Sequence, residues 1–365
     1  MRDNHRISKN SQVKRPSVLA AGCRIALGAV LAACATLAQA AGYKIVERGN
    51  LGGTSASGYA INDEGTVVGS SSVVIDSVEH DRATMWKNGA VIDLGSVADT
   101  ESRAYAINGH GKVTGSSQIK PSAAVEKAVK WHGDTIKRLK SLGGGFSQGR
   151  GINQKGVIVG YSQTRTADRP ALWDETGVHG LPTLGGDSGG ALAINRSGLV
   201  VGYTQTAAEF PTEHAVLWDA NRQPIDLGTL GGKNSVAFAI NDAGTIVGMS
   251  DVLEKNIFHA TRWDGLVAVD LGALGGPSQR SSAYGINKSG VVVGGSQDHF
   301  SNFHATVWTG SQMIDLNDHL DAATKAAGWV LEYARGINTS GQIVCNGRNT
   351  QTDVRRAFLA TPVAD

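Results

Sequence analysis

The chain has 365 residues with a formal net charge of +2, and it holds 48 glycines, 8 prolines and 3 cysteines. Setting aside residues 1–40 takes Lys plus Arg from 34 to 28 and Asp plus Glu from 32 to 31, so +2 becomes −3. That balance excludes a charge-driven nucleic-acid binder. A glycine content about twice the usual share, without collagen periodicity, points to many turns and, at this length, to internal repeats.

The N-terminal segment reads as a targeting leader. Arg2, Arg6, Lys9, Lys14, Arg15 and Arg24 precede an apolar run, 25–37, that is too short to span a bilayer. Ala38-Gln39-Ala40 offers a small-residue cleavage site, so residues 1–40 are expected to be a signal peptide and 41–365 one repeat domain. Leu31-Ala32-Ala33-Cys34 is a rival, lipid-anchoring signal. Plain cleavage is favoured, because an anchor at Cys34 would leave almost no tether before a first strand near Tyr43. Cys23 and Cys34 lie in this leader, which leaves Cys345 alone and no disulfide within the chain. No later segment is apolar enough to cross a membrane as a helix.

From there a single unit recurs. Ile-Asn pairs stand at Asn62, Asn108, Asn153, Asn195, Asn241, Asn287 and Asn338, spaced by 46, 45, 42, 46, 46 and 51 residues. Glycine follows each Asn by three residues and, until Cys345 breaks the series, by seven. Tryptophan closes the third apolar run at Trp86, Trp131, Trp173, Trp218, Trp263 and Trp308. In the most regular copy, 236–276, short apolar runs at 236–240, 245–247, 260–263 and 266–271 predict four antiparallel strands. An Asn-Asp-Ala-Gly turn joins the first two and an Asp264-Gly265 hairpin the last two. Seven such units predict an all-β, seven-bladed propeller.

The ends predict how the ring closes. Residues 45–53 match the fourth strand and exit of a unit, whereas the C-terminus stops after a third strand at Leu359. The N-terminal strand is therefore expected to complete the last blade, which leaves no bare edge. Counting out from the hairpin turns places His259 directly opposite Asp270, His304 opposite Asp315, Arg82 opposite Asp93 and, across the closure, Arg356 opposite Glu47. His214 and Asp226 flank a longer turn, and Lys127 and Arg169 are left without an acid. Before the last repeat, the extra residues 317–328 predict a short helix capped by Asp318 and ended by Gly328.

With these residues in view, the chain resembles the HAF-repeat family of bacterial extracellular repeat proteins. The resemblance rests on residues 239–248, on His259-Ala260, on Asp226-Leu227-Gly228-Thr229-Leu230-Gly231-Gly232, and on the terminal Arg356-Ala357-Phe358-Leu359. No unit keeps an intact His-Ala-Phe, and Cys345 stands where glycine is expected. The resemblance implies an exported propeller-like protein, secreted or periplasmic, and brings no activity with it.

The conspicuous motifs read as architecture. Gly186-Asp187-Ser188-Gly189-Gly190 spells a serine-protease nucleophile motif, yet it aligns with connectors such as 230–235 and lacks the histidine context. His214, His259 and His304 are replaced by Arg or Lys in other units, so they read as cross-strand partners and not as metal ligands. The Asn turns read as turn chemistry, because 153–156 and 287–290 carry no acid for calcium. Cys345 reads as a small buried thiol and the tryptophans as packing between blades. No catalytic set, cofactor or metal is implied.

Variation concentrates in the loops between second and third strands, at 71–81, 118–126, 163–168, 205–213, 251–258 and 297–303. Loops on a rigid scaffold carry function, and Asp298, His299, Phe300, Phe210 and Arg165 are the candidate ligand contacts there. The expected function is that of a non-catalytic, monomeric binding scaffold for a glycan or protein at the cell surface. The alternative is a polysaccharide hydrolase or lyase using Glu209, Glu213, Asp251, Glu254 and Asp298.

Overall fold

The computed structural model describes residues 42–363 apart from 121–122, 209–210, 254–256 and 311. Residues 1–41, which hold the expected leader and Cys34, lie outside the described residues. Seven four-stranded antiparallel sheets follow one another as the blades of a propeller. Blade one runs Ala56–Ile61, Val67–Ile75, Val78–Lys87 and Ala90–Asp93 from the channel outward. Blade seven takes Trp329–Ile337, Ile343–Asn349 and Arg355–Val363 from the C-terminus, and its outermost strand is Gly42–Glu47 from the other end of the domain. The closure expected from the chain ends is present.

The core lies between blades. Val201 and Ala215 of blade four pack with Ala237, Ile246 and Trp263 of blade five. Across the seam, Val67 and Trp86 of blade one pack with Val344 and Ala357 of blade seven. All six repeat tryptophans are buried, as is Cys345, whose thiol burial pushes up.

The invariant asparagines do more than shape turns. Each Oδ1 accepts from the backbone N–H four residues on, and in Asn62, Asn108, Asn241 and Asn287 also from that two residues on. Each Nδ2 then donates to the backbone carbonyl of the next blade's Asn, from Asn62 to Asn108 at 3.2 Å and onward, until Asn338 returns to Asn62 at 3.1 Å. This closed ring of seven side-chain bonds ties all blades together around the channel.

The second-strand glycines have an equally local cause. A Cβ at Gly69, Gly115, Gly160, Gly202, Gly248 or Gly294 would lie 1.9–2.0 Å from a carbonyl oxygen of the innermost strand. In blade seven, where Cys345 takes this place, the innermost strand carries a second bulge between Leu331 and Tyr333.

The charged pairs form, in a register two residues from the expected one. Asp270 stands opposite Thr261, not His259, because the hairpin tip is Gly265-Leu266 and Asp264 pairs with Val267. The acid still reaches His259 diagonally, at 2.8 Å. The same offset holds for Arg82–Asp93 at 3.3 Å, His304–Asp315 at 2.5 Å and Arg356–Glu47 at 3.3 Å. Each Asp of the Asp-Leu-Gly motif also accepts from the N–H two residues on, as Asp270 does from Gly272 at 2.8 Å, and this Asx turn orients the carboxylate. Nor is Arg169 left without an acid: Asp187, from the protease-like run, lies 3.6 Å away. Lys127 donates to the Gly144 carbonyl instead.

In the insertion, the helix Ala322–Ala326 is capped by Asp321, not Asp318. Asp321 accepts from both the backbone N–H and the hydroxyl of Thr324, three residues on, which Asp318 is not placed to do. Gly328 ends the segment at φ +85°.

Candidate functional site in the axial channel

The innermost strands build the channel wall, and each is interrupted at the same place. The ladder to the second strand slips between Gly58 and Ala60, Ala104 and Ala106, Gly149 and Gly151, Ala191 and Ala193, Ala237 and Ala239, Ala283 and Gly285, and Ala334 and Gly336. The stepped-over residues are Tyr59, Tyr105, Arg150, Leu192, Phe238, Tyr284 and Arg335. A β-bulge re-aims the side chain of its extra residue, and these seven alone line a cavity of about 380 Å³. Their neighbours must be small: a Cβ at Gly58 would meet Val344 at 2.3 Å, and one at Gly149 would meet Thr114 at 2.1 Å.

The ring is aromatic and cationic. Tyr59 and Tyr105 lie 5.5 Å apart between centroids, and Phe238 and Tyr284 5.3 Å. The Arg150 guanidinium sits 4.2 Å over Tyr105, and that of Arg335 sits 4.2 Å over Tyr284 and 4.8 Å over Tyr333. Burial raises the hydroxyl pKa of Tyr105 and Tyr333, and pushes that of nearby Tyr161 to about 12, so these phenols stay neutral donors. Surrounding acids are already engaged. Glu126 holds Arg103 at 3.1 Å and Gln148 at 2.7 Å, and Glu332 holds Arg348 at 2.8 Å. Among the described residues, neither Arg150 nor Arg335 has an ion-pair partner.

Deeper along the strands, at the level of the isoleucines of the Ile-Asn pairs, the channel holds a second cavity of about 330 Å³. That one is lined by Asn153, Asn195, Asn241, Asn287 and Asn338 of the Asn ring and by Asp63, Gln154, Arg196, Asp242 and Lys288 of the turn face.

The loop candidates occupy other positions. Asp298, His299 and Phe300 share one turn, with His299 exposed and Phe300 86 % exposed. Burial would raise the Asp298 carboxyl, but N–H bonds from Asn302 and Phe300 outweigh it and hold the group below its ordinary value. Arg165 is exposed on a separate loop. Phe210, Glu209 and Glu254 lie outside the described residues. Asp251 is occupied by the backbone and side-chain amides of Asn234. The bulge ring was missed in the sequence, although its trace is there: every copy reads small-X-small-Ile-Asn, with X large or charged.

No family model matches this chain, and no curated protein matches it. Among solved structures, TolB from Acinetobacter baumannii is similar at 9 % identity and TM-score 0.41, over 83 % of this chain and 65 % of that one. A gluconolactonase from Xanthomonas campestris is similar at 11 % identity and TM-score 0.30, over 59 % of this chain and 88 % of that one. This chain thus spans about two thirds of the TolB length.

Proposed function

We propose that this chain is an exported, non-catalytic binding propeller of the HAF-repeat kind, whose ligand is held in the axial channel by the bulge ring. One observation carries the reading. In a chain whose copies keep Ile and Asn throughout, and Gly and Trp in six of seven, seven bulges deliver seven large side chains, of four residue types, into one cavity. Structural side chains repeat with the blades, as the Asn ring does; a recognition surface differs from blade to blade. Asp251 is taken up by cross-strand bonds from Asn234 and Asp298 by turn hydrogen bonds, which gives no support to a carboxylate-pair hydrolase.

The surface loops, with Asp298, His299, Phe300 and Arg165, filter what approaches, and a glycan or an extended protein segment at the cell surface is the expected partner. A glycan and protein array probed with the 41–365 chain tests this. Hits that vanish for Tyr59→Ala/Tyr105→Ala, with the melting temperature kept, are expected; no hit on either array would end the reading.

A further inference from the structure

Resting on that reading of the channel, the charge around the bulge ring specifies the ligand's chemistry. Arg335 and Arg150 stand three blades apart, and the positions between them on the shorter way round hold Tyr59 and Tyr105. The longer way holds Leu192, Phe238 and Tyr284, so the ring has a cationic-aromatic arc facing a mostly apolar one. The Nε of Arg335 is buried and has no hydrogen-bond partner. Beside it, at the seam between blades seven and one, a smaller cavity of about 140 Å³ is lined by Arg335 together with Arg355, Tyr333, Asn346 and Glu332. Among the described residues, Glu332 is the one acid lining either cavity, and it is bound to Arg348.

Arg150 and Arg335 are half-buried, and a guanidinium partly withdrawn from water with no acid beside it gains from an arriving anion. Stacking on Tyr284 and Tyr333 pre-orients the Arg335 guanidinium, the geometry that favours a planar, bidentate acid group. The tyrosine faces suit a flat ring, and the cavity is of the size that small-molecule sites have.

We propose that the channel binds a small ring compound bearing a carboxylate or phosphate, with its acid group at Arg335 and its ring along Tyr59 and Tyr105 towards Arg150. Uronic acids and sugar phosphates share this chemistry.

Isothermal titration against galacturonic acid, glucuronic acid, a hexose phosphate, inorganic phosphate, glucose and galactose tests it. At least one acidic ring compound is expected to bind about tenfold or more tighter than its neutral counterpart and than inorganic phosphate, as a lost charge-assisted contact implies. Carboxylate and phosphate arms decide which acid is used. Arg335→Gln and Arg150→Gln should each lose about tenfold, while Arg335→Lys keeps part of the affinity because it keeps charge without the planar fork. A thermal melt confirms that each variant is folded, and Arg150→Gln serves alone if Arg335→Gln does not fold. No binding by any acidic compound, or equal binding of neutral sugars, overturns the proposal. Neutral-sugar binding that Tyr105→Ala abolishes and Arg335→Gln leaves intact overturns the charge assignment while the channel site stands. Binding indifferent to both variants removes both.

Discussion

At the scale of single residues, the repeated asparagine is where turn and ring closure meet. Its Oδ1 serves its own turn and its Nδ2 serves the next blade, so Asn241→Asp keeps the first role and removes the second. It also sets a carboxylate against the Asn287 carbonyl. Because Asn241 is buried, the change should cost about 1–3 kcal/mol, the cost of an unsatisfied buried polar group; a melting temperature unchanged by it would mean the ring is incidental. Gly248→Ala is a sharper probe. Its Cβ would sit 1.9 Å from the Val236 carbonyl, so innermost and second strands must separate. A loss of about 1–3 kcal/mol or more is expected from such overpacking, read as a lowered denaturation midpoint. The Asn-x-x-Gly turns were legible in the sequence because their chemistry is local. The inter-blade bond was not, because donor and acceptor are 42–51 residues apart, and 276 apart across the closure, and only the closed ring brings them together.

At the scale of strands, periodicity gave existence and order, and turn geometry decided register. Asn88 and Gly89 both have positive φ, which places the blade-one hairpin tip there and not at Lys87-Asn88, and this moves every acid of the outermost strand by two positions. The pairs survive because Asp and Glu reach diagonally. For His304–Asp315 the pH dependence has a definite sign. The hydrogen bond to Asp315 raises the His304 pKa; burial would raise Asp315, but bonds from His304 and Asn317 hold it low. The raised histidine stabilises the fold fully below its unfolded value and loses this as pH rises through its folded one. The lowered aspartate contributes above its unfolded value and loses this as pH falls. Both act together between about pH 4 and 6.5. The melting-temperature gap between the native chain and His304→Gln should be widest there and shrink in alkali; a gap constant with pH would contradict the pairing. The bulges stayed illegible, since a one-residue slip leaves no break in the alternation of small and large residues around Tyr59 or Arg150.

At the scale of the whole molecule, closure depends on Gly42–Glu47 pairing with Arg355–Val363. Arg356 joins the two ends through Glu47 and also donates to the Thr54 carbonyl. Glu47→Arg should lower the melting temperature, and adding Arg356→Glu should restore part of it. An exposed cross-strand pair contributes about 0.2–1 kcal/mol, so the rescue is small but signed; no rescue would mean the strand pairing, not the ion pair, holds the seam.

The ring so closed is what turns seven bulges into one cavity, and the account stands on that cavity being the binding site. Isothermal titration of the array-selected ligand against Tyr105→Ala and Phe300→Ala compares the channel directly with an exposed loop aromatic. About tenfold or greater loss is expected for Tyr105→Ala, as for an aromatic anchor enclosed by its ligand, and affinity within about threefold of the native chain for Phe300→Ala, as for a rim contact. The reverse order, with Phe300→Ala losing the ligand and Tyr105→Ala keeping it, would contradict the channel site.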